Sequence, residues 1–159
     1  MISEPDRRGH ERSAVEAACL RYLAQREHTR EELRLKLRRD GYPPIGIEAV
    51  IADFHERGLQ SDARFAEVFS RSCASRGYGP RRIRQNLRLR GVSDEDAAGL
   101  DSLDWEARIA QAHGRKFGDL PPHALEDRAR RERFMLRRGF SGDQIRRLFH
   151  RLREASGDM

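Results

Sequence analysis

Apolar residues recur along this chain at helical spacing, and one set of them recurs as a block. Ile47, Val50, Ile51 and Phe54 stand at i, i+3, i+4 and i+7, and Ile145, Leu148, Phe149 and Leu152 repeat that pattern 98 positions later. Near the midpoint lies a weaker copy, in which Gly91 leads into a short segment carrying Ala97 and Leu100. A basic stretch closed by glycine precedes each copy: Leu37-Arg38-Arg39-Asp40-Gly41, Leu87-Arg88-Leu89-Arg90-Gly91 and Leu136-Arg137-Arg138-Gly139. The glycines are 50 and 48 residues apart. The pattern predicts a helical repeat of about fifty residues, present three times, and stacked repeats of this size make extended binding surfaces.

Start and stop signals divide the chain further. Residues 1–12 are polar, contain Pro5 and Gly9, and read as a flexible tail. Ser13 and Glu16 have the spacing of a capping box, followed by Val15, Ala18, Cys19, Tyr22 and Leu23 on one stripe. Thr29 and Glu32 make a second box before Leu33 and Leu37, and Pro43-Pro44 turns the chain into the Ile47–Phe54 helix. These three helices form a first repeat over residues 13–59. In the second, residues 60–103, Ser61 or Asp62 opens a helix whose expected inner face is Phe65, Val68, Phe69 and Cys73. Pro80 opens the next helix, with Ile83 and Leu87 inward, and Ser93 with Asp96 opens an acidic one reaching Leu103. The third repeat, residues 104–154, has Trp105, Ile109 and Ala112 on one face, a loop at 118–122, a basic helix, and a last helix capped by Ser141 and Gln144. Residues 155–159 are a short tail. Nine helices and no strand predict an all-α protein of three tandem three-helix repeats.

Charge changes the picture. Charged residues make up 36% of the chain, which suits thin modules with much surface better than one thick core. The net charge is +6, and because only Lys36 and Lys116 are lysines, 30 of the 32 basic residues are arginines. Genomic base composition can raise arginine content, so placement says more than the total. Arg76 to Arg90 holds six arginines and no acid, whereas Gly91 to Glu106 holds six acids and no base. Arg128 to Arg153 holds ten arginines against Glu132 and Asp143. Such segregation points to a polyanionic or acidic partner. Cys19 and Cys73 fall on apolar helix faces, as buried free thiols in a reducing compartment do. There is no signal-peptide core and no apolar run long enough to span a bilayer, so a cytoplasmic location is expected.

Catalytic chemistry finds no foothold. No phosphate-cradling GxxxxGK[ST] loop or GxGxxG turn is present, and the six histidines lack zinc spacing. His55, His113 and His123 read as structural or surface residues, and Asp94, Glu95 and Asp96 as a solvated run at a helix start. No enzyme, cofactor or metal is expected. The arginine-rich helices remain. In Gly77-Tyr78-Gly79-Pro80-Arg81-Arg82 a ring suited to stacking lies beside guanidinium groups at a helix start, where backbone N–H groups also favour anions. The candidate partner-binding residues are Tyr78, Arg81, Arg82, Arg84, Arg88 and Arg90, with Arg137, Arg138, Arg146 and Arg147 behind them. Nucleic acid and an acidic protein groove both fit this composition, and a stand-alone basic DNA-binding protein is the alternative to a protein-directed regulator.

Several motifs in order carry a family resemblance. Gly58-Leu59-Gln60-Ser61-Asp62-Ala63-Arg64-Phe65-Ala66, then Arg76-Gly77-Tyr78-Gly79-Pro80-Arg81-Arg82-Ile83, then Leu87-Arg88-Leu89-Arg90-Gly91-Val92 closely resemble the RecX family of recombination regulators. Leu20-Arg21-Tyr22-Leu23-Ala24-Gln25-Arg26-Glu27 and Phe134-Met135-Leu136-Arg137-Arg138-Gly139-Phe140-Ser141 extend the likeness over about residues 14–153. Gln60 and Ser61 stand where the family often has acidic residues. The resemblance implies an elongated, curved array of three three-helix repeats. It also implies a monomer that binds the RecA recombinase in the groove of its filament on single-stranded DNA. The family thereby suppresses filament growth, ATP hydrolysis, strand exchange and coprotease activity, and it supplies no catalytic residues to carry over.

Overall fold

The computed structural model describes residue 1 and residues 3–157. Among them are eight α-helices, one 3₁₀ helix and no strand. Helices α1 (Glu4–Gln25), α2 (Arg30–Arg39) and α3 (Pro44–Glu56) pack on one another. So do α4 (Asp62–Ser75), α5 (Pro80–Leu89) and the 3₁₀ helix Ala98–Ser102, and likewise α6 (Trp105–Phe117), α7 (Leu125–Arg138) and α8 (Gly142–Ser156). Each triplet has its own buried cluster, built on Val50 and Phe54 in the first, Ile83 and Leu87 in the second, and Met135 and Phe149 in the third. The three-helix repeat predicted from the glycine spacing is the fold.

Four details differ from expectation. Helix α1 begins at Glu4, so Ser13 lies inside it and is no cap. Pro5 sits in its first turn, where a missing N–H costs no helical bond, and Arg8 pairs with Glu4 at 3.1 Å. Most of the expected N-terminal tail is therefore helical; of both predicted tails, Ile2, Asp158 and Met159 lie outside the described residues. The acidic segment after Gly91 forms a turn and a 3₁₀ helix instead of an α-helix. Ser93 Oγ still accepts the Asp96 N–H, but Asp94 and Asp101 are drawn out to Arg88 and Arg84 of α5, and Gly99 weakens helix propagation. Third, Val68 is 56% exposed, and the buried stripe of α4 instead includes the small residues Ala66 and Ser70, which let the 3₁₀ helix approach closely. Finally, Leu152 is only partly buried, whereas its equivalent Phe54 is fully enclosed.

One rule joins the triplets. Thr29, the N-cap of α2, donates from Oγ1 to the carbonyl of Arg90 at the end of α5, at 2.9 Å. Gly79, the N-cap of α5, donates its N–H to the carbonyl of Arg138 at the end of α7, at 2.7 Å, and the Arg81 N–H reaches Gly139 O at 3.0 Å. The second helix of each repeat thus starts on the end of the next repeat's second helix. The contact is backbone-close: a Cβ on Gly79 would lie 2.5 Å from the Gly139 carbonyl carbon, and one on Gly91 would lie 2.8 Å from Glu31 Cβ. Gly91 and Gly139 also need left-handed φ values of 82° and 102°.

Around the first joint the buried groups are polar. Gln60 Nε2 donates to His28 O (3.2 Å) and to Asp62 Oδ1 (2.7 Å), which also accepts the Arg30 N–H at 2.9 Å. Gln60 is thus a buried donor beside a carboxylate, and Ser61 caps α4, which accounts for neither being acidic. At the second joint the bridge is aromatic. Trp105 packs on both neighbouring cores, donates to Leu100 O at 3.0 Å, and meets Phe140 edge-on at 6.3 Å.

Two buried imidazoles give the fold a pH dependence. The Lys36 ammonium, 2.8 Å from His28 Nε2, donates to it, and Nδ1 faces Arg26 O at 3.0 Å, so the ring is neutral. Burial pushes its pKa down, helped by Arg26 and Lys36 and opposed by the Arg26 carbonyl and Glu32. His113 is likewise lowered, first by burial and then by Arg131, against the Gly118 backbone, Asp119 and Asp127. A base with a depressed folded pKa binds fewer protons folded than unfolded. Its contribution is complete above the ordinary imidazole value of 6.5 and is lost as pH falls below it. The urea midpoint should therefore drop when pH is lowered by about one unit below that value, and His28→Gln should shrink the drop. An unchanged wild-type midpoint would contradict the assignment. The packing predicts a second result: Phe54→Ala should cost about 3–5 kcal/mol and Leu152→Ala less than about 2, both by urea denaturation.

Candidate functional site

The second joint gathers half of the residues singled out from sequence. Tyr78 lies in the α4–α5 connection, and guanidinium groups from both repeats stand over its ring: Arg82 at 4.6 Å and Arg138 at 5.0 Å, with Arg76 at 5.9 Å. Arg82 Nη1 also donates to Arg137 O at 3.2 Å, which ties α5 to the last turn of α7. Arg81 and Arg137 project into solvent from the two sides of the seam. Together with Arg82, Gln85 and Asn86 they line a groove of about 480 Å³, edged by Leu89 (77% exposed) and Leu136 (44% exposed). The N–H groups of Gly79 and Arg81 are bonded to α7 carbonyls, so the start of α5 is not the open anion cradle that the sequence suggested.

The other five candidates lie elsewhere. Arg84 pairs with Asp101 at 2.8 Å. Arg88 holds both oxygens of Asp94, at 2.9 and 3.1 Å, and this pair keeps the Asp94 carboxyl below its ordinary range and raises Arg88. Arg90 lies over the Phe69 ring at 4.6 Å, near the first joint. Arg146 pairs with Asp143 one turn earlier on α8, and Arg147 is exposed on the same helix. The acidic run after Gly91 therefore neutralises one flank of α5 and leaves the α7 flank basic.

Three cations escaped the sequence reading. Arg76, Arg115 and Lys116 adjoin Arg138 around a second hollow of about 220 Å³, floored by Phe134 and Ala112. Arg115 crosses the joint to donate to Ser75 O at 2.7 Å, and Lys116 stands 5.4 Å over Phe134. Only the packing of α6 against the end of α4 brings them here, and no spacing rule along the chain encodes that. No group of His, Cys, Asp and Glu among the described residues could hold a metal ion, and no helix is long and apolar enough to cross a membrane.

This architecture has close relatives. Three family models match in order: RecX, first three-helix domain, over residues 7–54; RecX, second three-helix domain, over 61–99; and RecX, third three-helix domain, over 104–149. Curated proteins named Regulatory protein RecX are similar over most of their length. The one from Halorhodospira halophila is 45% identical over 84% of this chain and 84% of its own, and that from Pseudomonas fluorescens 42% over 85% and 89%. The chain belongs to the RecX family. A crystal structure of RecX from Lactobacillus salivarius superposes with a TM-score of 0.77 at 22% identity, covering 91% of this chain and 97% of that one, and so shares the fold. Membership in the RecX family accounts for the three-unit array, and its members carry the name of regulators.

The Tyr78 platform predicts a measurable effect. Tyr78→Leu keeps an apolar side chain but removes the face under Arg82 and Arg138, each contact contributing about 0.5–1 kcal/mol. The variant should fold and unfold cooperatively, with stability lowered by about 1–2 kcal/mol in urea denaturation. A wild-type midpoint would show that the ring does not hold these arginines.

Proposed function

We propose that this protein regulates the RecA recombinase without catalysis of its own. It binds RecA and its filament on single-stranded DNA and restrains filament growth, ATP hydrolysis, strand exchange and coprotease activity. The observation that supports this most is the in-order match of all three RecX units, together with relatives of similar length named as regulatory proteins. The physical argument runs alongside it. An array of units joined end to start can lie across neighbouring subunits of a polymer, so its binding depends on filament geometry as well as on local contacts. The contacts are the arginines, chiefly Arg81, Arg82, Arg137 and Arg138 with Tyr78; Arg84, Arg88, Arg90, Arg146 and Arg147 act as a secondary set. The protein works as a monomer in the cytoplasm, with no cofactor.

The test is co-sedimentation with RecA filaments assembled on single-stranded DNA, followed by RecA ATPase and strand-exchange assays. The expected result is pelleting with filaments, reduced ATP hydrolysis and reduced strand exchange. The purified protein alone should neither hydrolyse ATP nor cut DNA, because its sequence carries no phosphate-cradle motif and the described residues hold no metal-ligand set. Failure to pellet with filaments, or turnover that persists without RecA, would overturn the proposal.

A further inference from the structure

The array uses the same joint twice, and a third helix end of the same make stands exposed. At each joint a helix start rests on a glycine-ended tail: Thr29 Oγ1 on Arg90 O, and the Gly79 and Arg81 N–H groups on Arg138 O and Gly139 O. The corresponding tail of α2 ends at Asp40 and Gly41, with Gly41 at a left-handed φ of 93°. Asp40 O and Gly41 O accept no hydrogen bond among the described residues. A Cβ on Gly41 would meet nothing within 4 Å, whereas on Gly91 or Gly139 it would collide with Glu31 or Arg82. The flank of this end is apolar. At the second joint Pro80 and Arg84 share a hollow with Ser141 and Gln144 at the start of α8. The positions 98 residues earlier are Pro43 and Gly46, and between them lies Ile45, 87% exposed. Four residues after their terminal glycines the other repeats carry acids instead, Glu95 and Asp143.

We infer that the carboxyl end of α2 is a docking site for the amino end of an acidic helix on a partner protein, which adds one more joint of the same kind to the array. The unbonded N–H groups at the start of that helix bond Asp40 O and Gly41 O, as those of Gly79 and Arg81 bond their acceptors, and an apolar side chain of its first turn packs on Pro43 and Ile45. Charge selects the partner. Arg38 and Arg39 are exposed and form no ion pair among the described residues, while the Asp40 carboxylate accepts the Tyr22 hydroxyl. Within the chain both signs occur on such tails: Glu31 and Glu32 open α2, and 50 residues on Arg81 and Arg82 open α5. Covalent linkage of the repeats holds like charges together at the second joint. A separate molecule has no such tether, so a basic tail favours an acidic start. The protein's own α7 is unsuited to the role. It starts 14 residues before its glycine, against 11 for α2 and α5. Where Thr29 and Gly79 open the other two, α7 has Asp127 inside the helix, paired with Arg130 and Arg131. This surface shares no residue with the contacts proposed for the regulator, and its test uses neither RecA nor DNA.

The experiment is an NMR titration of the isotope-labelled whole protein with a lactam-bridged helical peptide of about fifteen residues that opens Thr-Leu-Glu-Glu. The expected result is saturable shifts of backbone amides centred on Gly41, Tyr42 and Ile45. The same peptide opening Thr-Leu-Arg-Arg should bind at least about tenfold more weakly. Ile45→Asp, which places here the residue type found at the equivalent position 143, should keep the folded spectrum and weaken the acidic peptide at least about fivefold. Absence of saturable shifts around Gly41 at about millimolar peptide would overturn the site, as would equal binding of the two peptides or an affinity unchanged by Ile45→Asp. Shifts at Gly41 that grow with protein concentration alone would assign the surface to a second copy of this chain, and would likewise overturn it.

Discussion

Three small helical units stay in register because a helix start seats directly on the glycine-ended tail of another helix. The contact at Gly79 and Gly139 leaves no room for a Cβ on either side, and its hydrogen bonds run from backbone to backbone. Interfaces between repeats are commonly built from apolar side chains, whose packing tolerates some sliding. A bond between a helix N-cap and a carbonyl one residue before a left-handed glycine tolerates little. Position is therefore set by the main chain at the second joint and by the Thr29 hydroxyl on the Arg90 carbonyl at the first, and the other side chains around the seams are free to vary in charge. That freedom is visible in the contrast between Glu31 with Glu32 and Arg81 with Arg82.

The third unit shows how far such a repeat can depart from its own pattern. Leu37, Leu87 and Met135 each stand four residues before the terminal glycine and are fully buried. Eight residues before it, the first two units place Leu33 and Ile83, and the third places Arg131, which is only 9% exposed. The guanidinium is accommodated by Leu120 O at 2.7 Å, by Asp127 at 2.9 Å and by the rings of Phe117 and His113. That carbonyl comes from the loop at 118–122. A buried charge held this way is costly to unpair, which makes it a determinant of which loop can close the unit.

Much of the fold was legible in the chain. Glycine spacing and the Ile47 and Ile145 stripes are local signals, and they gave the three-helix repeats, the Ser141 cap and the start of α5, while of Ser61 and Asp62 it is Ser61 that caps α4. What the chain did not disclose depended on neighbours. Ser13 has the spacing of a cap, but Pro5 fits the first turn and Gly9 is tolerated within the helix, so the helix begins at Glu4. The acids after Gly91 suit a helix start in isolation, yet Arg84 and Arg88 draw two of them away. The site divided in the same manner. Its arginines on α5 and α7 were visible as charge runs, but their sorting into paired and unpaired groups, and the arrival of Arg76, Arg115 and Lys116, are properties of the joints.

The end-to-start seating also fixes the direction of the peptide dipoles. Helices α7, α5 and α2 follow one another with each carboxyl end against the next amino end. The partial negative charge closing one helix therefore meets the partial positive charge opening the next, and the two cancel at both seams. What survives is a pair of distant poles, positive near Leu125 and negative near Gly41, where Lys36, Arg38 and Arg39 crowd the last turn of α2. Within this series of three helices, the two seams thus add no net helix-end charge to that of their side chains.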